Sequence, residues 1–384
     1  MIKRKQELGI LQVLLSANPV VAILGARQVG KTTLARMLWE AAPQKGAYFD
    51  LENPQHLSKL EDAMLALRDL KGLVVIDEIQ RRSDLFPVLR VLADRPRAPA
   101  KFLVLGSASP ELLKQGSESL AGRIAYHYID GFRLPELPGD SIEKLWLRGG
   151  FPKSYLARNL SLSYDWRRDF ISRFLERDLP QLGIKIASHA LRRFWNMVAH
   201  YHGQVWNSSE LGRSLGVADT TVRSYLDTLT SALMIRQLQP WYENVGKRQV
   251  KSPKIYLKDS GLLHTFLNIH AVEDLLVHPK CGASWEGFIL EQVLAIVQAR
   301  PEECYFWATH AGAELDLLLV RGRKRYGIEI KRSSAPHLTP SMKIAMKDLK
   351  LNQIDIIYAG PDTYPMAKGV RAVGSLRMVK DISF

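Results

Sequence analysis

The stretch VVAILGARQVGKTT, residues 20–33, changes its character twice. Val20–Leu24 is an unbroken apolar run rich in valine, which is typical of a buried strand. Gly25 and Gly30 then bound a short loop, and the pattern from Lys31 to about residue 40 predicts a helix. A strand, a glycine-bounded loop and a helix in this order predict the start of a parallel α/β domain.

The loop matches the pattern GxxxxGK followed by Ser or Thr, which binds phosphate groups. Its glycines let backbone amides face the phosphates of a nucleotide at the start of a helix. Lys31 is expected to reach the β and γ phosphates, and the Thr32 hydroxyl to ligate magnesium. The predicted contacts to ATP are Gly25, Ala26, Arg27, Gln28, Val29, Gly30, Lys31, Thr32 and Thr33. The alternative, a chance glycine-rich turn, is disfavoured by the flanking strand and helix.

A second buried strand, Leu73-Val74-Val75-Ile76, ends in the two acids Asp77 and Glu78. Asp77 is predicted to hold the magnesium ion that accompanies ATP. Glu78 is predicted to polarise the attacking water, a role that needs a carboxylate at the strand tip within reach of the γ phosphate. The alternative is that the two acids only cap the following helix.

Composition and charge limit the classes of protein to which the chain can belong. The 384 residues exceed what one core usually serves, and 46% of them are apolar, so we expect two or three globular domains. Cys281 and Cys304 cannot form a disulfide framework or a multi-cysteine zinc site. Neither a membrane span nor a signal peptide is recognisable, so we expect a cytoplasmic protein without a membrane partner. The net charge of +14 favours polyanions such as DNA, although a solvated basic surface is the alternative.

Several segments together resemble a large prokaryotic family of AAA-type ATPases, whose C-terminal domain of unknown function is related to PD-(D/E)XK nucleases. The segments that carry the resemblance are residues 25–33, Tyr48-Phe49-Asp50-Leu51-Glu52, Asp77-Glu78-Ile79-Gln80, Ser119-Leu120-Ala121-Gly122-Arg123, Arg148-Gly149-Gly150-Phe151-Pro152 and Lys251-Ser252-Pro253-Lys254-Ile255-Tyr256. Ala26 departs from the family, which commonly has proline there. The resemblance implies ATP hydrolysis and a homo-oligomer, of which a hexameric ring is one form.

The resemblance also implies two further residues of the ATPase site. The third buried strand, residues 102–105, leads to Ser107, where AAA-type ATPases place a polar residue that contacts the γ phosphate or water. Arg123 precedes the last strand of the core, where an arginine normally projects toward the nucleotide of a neighbouring subunit. Arg123 is therefore a candidate arginine finger, and an ordinary surface salt bridge is the alternative.

Acidic and basic residues near the C-terminus follow the order of a nuclease hairpin. Asp316 lies on one predicted strand, and Glu329 and Lys331 on the next, with twelve residues between the two acids. Asp316 and Glu329 are predicted to bind magnesium, and Lys331 to position the attacking water. Glu286 matches the helix glutamate of the family, with Glu291 as second choice. The alternative is a degenerate nuclease fold that only binds DNA.

The segment before the hairpin has helix-turn-helix spacing, with helices expected at residues 208–215 and 220–232. Near the start of the second helix, the side chains expected to meet DNA are Thr220, Thr221, Arg223 and Ser224. A following hairpin is predicted to grip phosphates as a basic wing through Lys247, Arg248, Lys251 and Lys254. A basic run that adjoins the nuclease hairpin is expected to help seat DNA: Arg321, Arg323, Lys324 and Arg325. Protein contacts or core packing are the alternative use of the winged helix.

The predicted fold class is α/β, with a P-loop AAA-type ATPase core followed by three further regions. The predicted domains are the ATPase core at residues 1–140, a helical lid at 141–205, a winged helix-turn-helix at 206–260 and an α/β PD-(D/E)XK nuclease-like domain at 261–384. This order favours an ATP-driven DNA motor or remodeller, with branched DNA such as a Holliday junction as a substrate. The alternative is a nucleotide-gated switch that binds DNA or a protein and cleaves nothing.

Overall fold

The computed structural model describes residues 2–96, 99–107, 116, 118–138, 141–181, 186–242 and 250–384. The chain forms two compact units. The first unit comprises Met1–Gly131 with Ser231–Leu233, and the second comprises Phe132–Thr230 with Met234–Phe384. The predicted boundaries near residues 205 and 260 both fall inside the second unit, and the division into four domains stays a prediction.

A five-stranded parallel sheet forms the centre of the first unit, in the order β2-β3-β4-β1-β5. Its strands are β1 (Val20–Leu24), β2 (Lys45–Asp50), β3 (Gly72–Asp77), β4 (Ala100–Gly106) and β5 (Ile124–Tyr128). The helices whose bounds lie within the described residues of this unit are Lys5–Ala17, Lys31–Ala41, Pro54–Lys59, Ala63–Leu67 and Leu85–Ala93, and a 3₁₀ turn covers Ile79–Arg82. The three buried strands expected from the sequence are confirmed as β1, β3 and β4.

Burial on both faces explains why β1, β3 and β4 read as continuous apolar runs. Parallel sheets are covered by helices on both sides, so successive side chains are all buried. Val20–Leu24 is buried throughout, and β4 is buried at every position but Lys101. β4 lies between β1 and β3, so the carboxyl ends of these three strands share one edge of the sheet. That edge carries the phosphate loop, Asp77 and Ser107.

The second unit contains a nine-stranded mixed sheet, in the order β13-β14-β12-β11-β10-β9-β7-β8-β6. Its strands are β6 (Gln204–Val205), β7 (Ile235–Pro240), β8 (Lys254–Leu257), β9 (Cys304–Ala308), β10 (Glu314–Arg321), β11 (Lys324–Lys331), β12 (Gln353–Tyr358), β13 (Tyr364–Ala367) and β14 (Val370–Gly374). The predicted antiparallel hairpin of β10 and β11 is confirmed. β7 and β9 pair in parallel, so the β7–β8 hairpin shares its sheet with β9–β14.

Helices make up most of the remaining second unit. The longer ones are Ile142–Arg148, Leu160–Arg173, Ser188–His200, Ser208–Leu215, Asp219–Ser231, Ser260–Phe266, Cys281–Ile296 and Pro340–Asp348, and the shorter ones are Pro152–Tyr155, Leu179–Gln181, Val272–Val277 and Met378–Asp381. A π-helical turn covers Phe174–Asp178, and 3₁₀ turns cover Leu134–Glu136 and Pro301–Glu303. None of the helices within the described ranges has the length and apolar character that a membrane crossing requires.

The helix-turn-helix spacing predicted from the sequence is present in the second unit. Ser208–Leu215 ends at Gly216, whose φ of 71° lies in the left-handed region that favours glycine. The next helix, Asp219–Ser231, begins one residue before the expected start at residue 220. Ser209 donates a hydrogen bond to Asp219 over 2.6 Å, which ties the start of the second helix to the first.

Candidate functional site

The phosphate loop connects β1 to the helix Lys31–Ala41. Gly30 stands before the first helical residue with a φ of 99°, a conformation that costs glycine little and other residues more. No side chain caps the helix start, and its first turn contains no acidic residue. Backbone amides at such a helix start carry partial positive charge and suit an anion.

Lys31 folds back over the loop that precedes it. Its ammonium donates hydrogen bonds to the carbonyl oxygens of Gly25 and Ala26, each over 2.9 Å, and only 6% of the residue is exposed. Both acceptors belong to the predicted phosphate-binding loop. The positive charge of Lys31 is therefore held at the loop, and its contact with the β and γ phosphates stays a prediction.

Asp77 and Glu78 lie at the end of β3, as predicted. Asp77 is 3% exposed, and its carboxylate accepts hydrogen bonds from the Tyr48 hydroxyl over 2.9 Å and the Glu78 amide over 3.0 Å. These two bonds fix the orientation of the Asp77 carboxylate. Tyr48 has no predicted role, because its hydrogen bond to Asp77 depends on the pairing of β2 with β3.

Glu78 has a conformation and an environment that differ from those of an ordinary surface glutamate. Its φ of 57° lies in the left-handed region, which a non-glycine residue adopts at an energetic cost. Burial raises the pKa of the Glu78 carboxyl, while the charge of Lys31 and a hydrogen bond from Gln80 oppose the shift. A carboxylate with a raised pKa is a better proton acceptor, which suits the predicted role as general base.

The remaining predicted nucleotide contacts lie on the same edge of the sheet. Ser107 directly follows β4 and is 5% exposed. Thr32 is the second residue of the helix that leaves the loop, and Thr33 next to it is exposed. The contacts of Ser107, Thr32 and Thr33 with a nucleotide stay predictions.

Arg4 contacts the phosphate loop and was missed at the level of sequence. Its guanidinium is 5% exposed and donates hydrogen bonds to the carbonyl oxygens of Val29, over 3.2 Å, and Asp130, over 3.1 Å. It therefore links the N-terminal segment, the loop and the chain just beyond β5. In the sequence, Arg4 stands in a basic run that looks like a solvated surface, and no local signal distinguishes it.

Arg123 forms a bidentate ion pair in the first unit. Its guanidinium lies 2.5 Å and 2.9 Å from the two carboxylate oxygens of Asp94, and about a third of the Arg123 side chain is exposed. An exposed ion pair of this kind contributes little to stability, so Arg123 can exchange Asp94 for another anion at low cost. The role of arginine finger stays a prediction.

We expect Arg123→Ala to lower ATP turnover by roughly 10³-fold or more, since an arginine finger stabilises transition-state charge. The KM for ATP should change little. Steady-state kinetics on the assembled protein measure both quantities. Asp94→Ala is the matched control, because it breaks the same ion pair and leaves Arg123 in place. Equal losses of turnover in the two variants would mean that Arg123 acts only through its salt bridge with Asp94.

Four acidic side chains come together in the second unit, and we call them the carboxylate cluster. Its members are Glu286 on the helix Cys281–Ile296, Glu314 and Asp316 on β10, and Glu329 on β11. Lys331 lies beside it, with its ammonium 2.7 Å from a Glu329 oxygen. The predicted nuclease residues therefore converge, and Glu314 is a member that the prediction did not include.

Burial and mutual repulsion raise the pKa values of Asp316 and Glu329 in the carboxylate cluster. Burial raises the pKa of Asp316 well above that of an ordinary aspartic acid, and the charges of Glu286 and Glu329 add to the shift. Burial likewise raises the pKa of Glu329, against the opposing effect of Lys331. The second Glu329 oxygen is buried and has no hydrogen-bond partner among the residues that the structure describes.

Lys254 was predicted to lie on an exposed basic wing, and the structure corrects this position. Lys254 is 4% exposed and begins β8, which is buried at all four positions. Its ammonium lies 3.1 Å from Glu286 and 3.9 Å from Asp316, and it also contacts Glu314. The apolar residues that follow Lys254 draw β8 into the sheet, and its side chain points to the carboxylate cluster.

The carboxylate cluster does not match the predicted magnesium site. A divalent cation needs several oxygens free to coordinate it, whereas the Lys254 ammonium already contacts three of the four acids. Within the described ranges, no group of three or more histidine, cysteine or acidic side chains is arranged to hold a metal ion. Metal binding by Asp316 and Glu329 stays a prediction, and at Asp316 it would compete with the Lys254 ammonium.

The second choice for the helix glutamate, Glu291, is wrong. Glu291 is 2% exposed and is held by two arginines, Arg236 over 3.0 Å and Arg133 over 3.2 Å. Glu286 and Glu291 are five positions apart on one helix, which puts them on different faces. Only Glu286 faces the carboxylate cluster.

The predicted DNA contacts are only partly displayed by the structure. Thr220, Arg223 and Ser224 are exposed near the start of the second helix, and Thr221 is half-buried. Lys251 is exposed, while Lys247 and Arg248 lie outside the described residues.

Two members of the basic run beside the hairpin β10–β11 have structural partners instead of a free surface position. Arg321 pairs with Glu303 over 3.1 Å. Arg325 donates a hydrogen bond to the carbonyl oxygen of Leu349 over 3.0 Å and lies over the Trp241 ring. Arg323 and Lys324 are exposed, so only these two remain suited to seat a phosphate backbone.

Comparisons with known protein families divide the chain into three parts. An AAA domain matches residues 17–137, which include most of the first unit. A domain of unknown function, DUF8612, matches residues 139–273, and another, DUF4143, matches residues 281–377. The AAA domain contains the phosphate loop, Asp77, Glu78 and Arg123.

Relatives and solved structures place the chain among similar proteins. The Walker-type ATPase paby2304 of Pyrococcus abyssi has a TM-score of 0.46 and 17% identity, over 70% of this chain and 96% of that one. Uncharacterized protein Rv2008c of Mycobacterium tuberculosis and Uncharacterized protein Mb2031c of Mycobacterium bovis are each 50% identical over 373 residues, which are 97% of this chain and 84% of each relative. The chain therefore belongs to the same family as Rv2008c and Mb2031c, and its residues 17–137 match an AAA domain.

Proposed function

We propose that the first unit binds and hydrolyses ATP. The observation that carries this proposal is the convergence of Lys31, Asp77 and Glu78 at one edge of a parallel sheet, with the Glu78 pKa raised by burial. Binding alone would require the loop and Lys31, whereas a buried base beside them suits hydrolysis. Magnesium with ATP needs only one or two protein oxygens besides the phosphates, and Thr32 and Asp77 offer them.

The residues of this site divide the work of hydrolysis among themselves. The loop amides and Lys31 hold the phosphates, and Asp77, fixed by Tyr48, supports the magnesium shell. Glu78 takes the proton of the attacking water. Ser107 is proposed to contact the γ phosphate or that water. Arg123 of a neighbouring subunit in a homo-oligomer, such as a hexameric ring, is proposed to neutralise the charge that develops in the transition state.

We also propose that ATP hydrolysis drives the movement or remodelling of DNA. The substrate would be branched DNA such as a Holliday junction. The net charge of +14 and the exposed Thr220, Arg223 and Lys251 support a DNA surface in the second unit. The hairpin β10–β11 and the acids around it support a nuclease-like fold for the C-terminal part.

A specific observation favours a second candidate, a nucleotide-gated switch that binds DNA or a protein and cleaves nothing. Lys254 neutralises acids that a metal-dependent nuclease would use for its cation. The ATPase proposal is common to both candidates. They differ in whether hydrolysis moves DNA strands.

The experiment that tests these proposals measures ATP hydrolysis and strand displacement together. The full chain is given ATP and magnesium with single-stranded, duplex, forked or four-way DNA. A motor should hydrolyse ATP faster with DNA and displace strands from one of these structures. DNA-stimulated hydrolysis without displacement would favour the switch, and hydrolysis that is absent under every condition would remove the ATPase proposal.

The basic wing can be tested through the salt dependence of DNA binding. Replacing Lys247, Arg248 and Lys251 by alanine should weaken binding to all DNA sequences alike. Each lost phosphate contact should flatten the slope of log affinity against log salt by about 0.9. Fluorescence anisotropy over a range of salt concentrations gives this slope. Lys343→Ala removes one exposed lysine elsewhere in the second unit and serves as control. An unchanged slope in the triple variant would mean that these three residues do not contact DNA phosphates.

A further inference from the structure

Lys254 is unusual among the lysines of the second unit because it is almost completely buried. A lysine loses much hydration when it is removed from water, so it is found inside proteins chiefly when carboxylates compensate for that loss. Here the compensation comes from Glu286, Glu314 and Asp316, all in contact with or near one ammonium group. The three acids come from a helix and a strand distant in sequence from Lys254.

The hydrogen bonds around Glu286 strengthen this arrangement. One Glu286 oxygen accepts from the Lys254 ammonium over 3.1 Å and from the Tyr256 hydroxyl over 2.5 Å. Lys254 and Tyr256 are two positions apart on β8, so both side chains lie on the same face of the strand. The strand therefore presents a cation and a hydroxyl donor to the same carboxylate.

Lys331 does not have the same role. Its side chain is 42% exposed and contacts Glu329 at the margin of the carboxylate cluster. Water can screen this pair, whereas the 4% exposure of Lys254 leaves its charge largely unscreened. The balance of charge in the interior of the cluster therefore depends on Lys254.

We propose that the Lys254 ammonium takes the place of a divalent cation in the carboxylate cluster. The cluster is then a site filled by the chain itself: the lysine neutralises the acids and joins the β7–β8 hairpin to the nuclease-like strands. Magnesium or manganese does not bind there while Lys254 is in place. The inference concerns the second unit and does not depend on the proposed ATP hydrolysis.

The test is a titration of the nucleotide-free full chain with Mn²⁺, followed by electron paramagnetic resonance of the free ion. Wild type should show no Mn²⁺ site that depends on Asp316. Lys254→Met removes the charge while keeping an unbranched side chain. It should create one site that binds Mn²⁺ at least about tenfold more tightly than any site of wild type does, because uncompensated buried carboxylates attract a cation strongly. Adding Asp316→Asn to Lys254→Met should abolish that site.

Lys343→Met is the matched control, since it removes an exposed lysine from the same unit by the same substitution. It should bind Mn²⁺ as wild type does. Two results would overturn the proposal: a wild-type Mn²⁺ site that Asp316→Asn removes, or a folded Lys254→Met protein that gains no site. ATPase activity of each preparation reports separately on the first unit, so a failure of the ATPase proposal is recognised independently.

Lys254→Met leaves buried acids without their partner, and the variant can fail to fold for that reason. A second measurement, which uses only wild type and Asp316→Asn, then tests the proposal without the Lys254→Met variant. A metal that binds the native state raises the melting temperature. Millimolar Mn²⁺ should give wild type and Asp316→Asn the same shift. A stabilisation by Mn²⁺ that is present in wild type and absent in Asp316→Asn would show a metal site and overturn the proposal.

Discussion

Lys31→Ala is expected to abolish ATP hydrolysis and to weaken ATP binding by roughly 10- to 150-fold, the value of about 1.5–3 kcal/mol for hydrogen bonds to a charged group. The ammonium is held at the carbonyl oxygens of Gly25 and Ala26, where the phosphates are proposed to bind. Alanine removes the charge and leaves the loop backbone without a cation. Binding of a fluorescent ATP analogue and phosphate release measure the two effects.

Lys71→Ala is the control for this variant, because Lys71 is an exposed lysine of the same unit and lies outside the site. It should bind and hydrolyse ATP as wild type does. The proposed role of Lys31 fails if Lys31→Ala retains wild-type affinity and turnover. Circular dichroism of both variants separates a lost contact from a lost fold.

Glu78→Gln is expected to bind ATP and to hydrolyse it roughly 10²–10⁴-fold more slowly, the range that general base catalysis contributes. Glutamine has nearly the same shape and can keep the contact with Gln80, but it accepts no proton. Affinity should therefore persist while turnover is lost. Single-turnover hydrolysis and equilibrium binding of ATP distinguish these two quantities.

The raised pKa of Glu78 adds a pH dependence to the wild-type reaction. The base works only when it is deprotonated, so activity should fall as pH decreases through the Glu78 pKa. Burial raises that pKa, which moves the acidic limb of the profile to a higher pH than an exposed glutamate would give. The residual activity of Glu78→Gln should lack this limb. A limb that persists unchanged in the variant would assign it to another group.

Glu40→Gln is the matched control, since Glu40 is exposed near the end of the helix Lys31–Ala41 and takes no part in the site. It should leave the rate and the pH profile unchanged. Wild-type turnover in Glu78→Gln would mean that another residue is the base.

The ATPase half of the candidate site was largely predictable, because its determinants are close together in sequence. The phosphate loop joins a strand to a helix within residues 20–41, and Asp77 and Glu78 directly end a buried strand. Apolar periodicity reveals such elements without knowledge of their neighbours. β2 was not predicted, since it begins with Lys45, Gly46 and Ala47, which form no apolar run.

Contacts between segments that are distant in sequence were harder to predict. Arg4 reaches Asp130 across 126 positions, and Lys254 meets Glu286 across 32 positions. In the sequence, both residues stand in basic runs that resemble solvated surfaces. Only burial in the folded chain distinguishes a structural or functional cation from a surface one.

Local patterns thus suffice for the α/β class of the first unit, the helix-turn-helix spacing and the hairpin β10–β11. The tertiary structure alone decides that β7–β8 joins the sheet of β9–β14 and that the Lys254 side chain points toward the carboxylate cluster. The physical reason is that side-chain periodicity depends on the backbone of one segment, whereas the order of strands and the sharing of charge depend on which segments meet. A motif therefore predicts which residues carry the chemistry, and the fold determines which charge each of them faces.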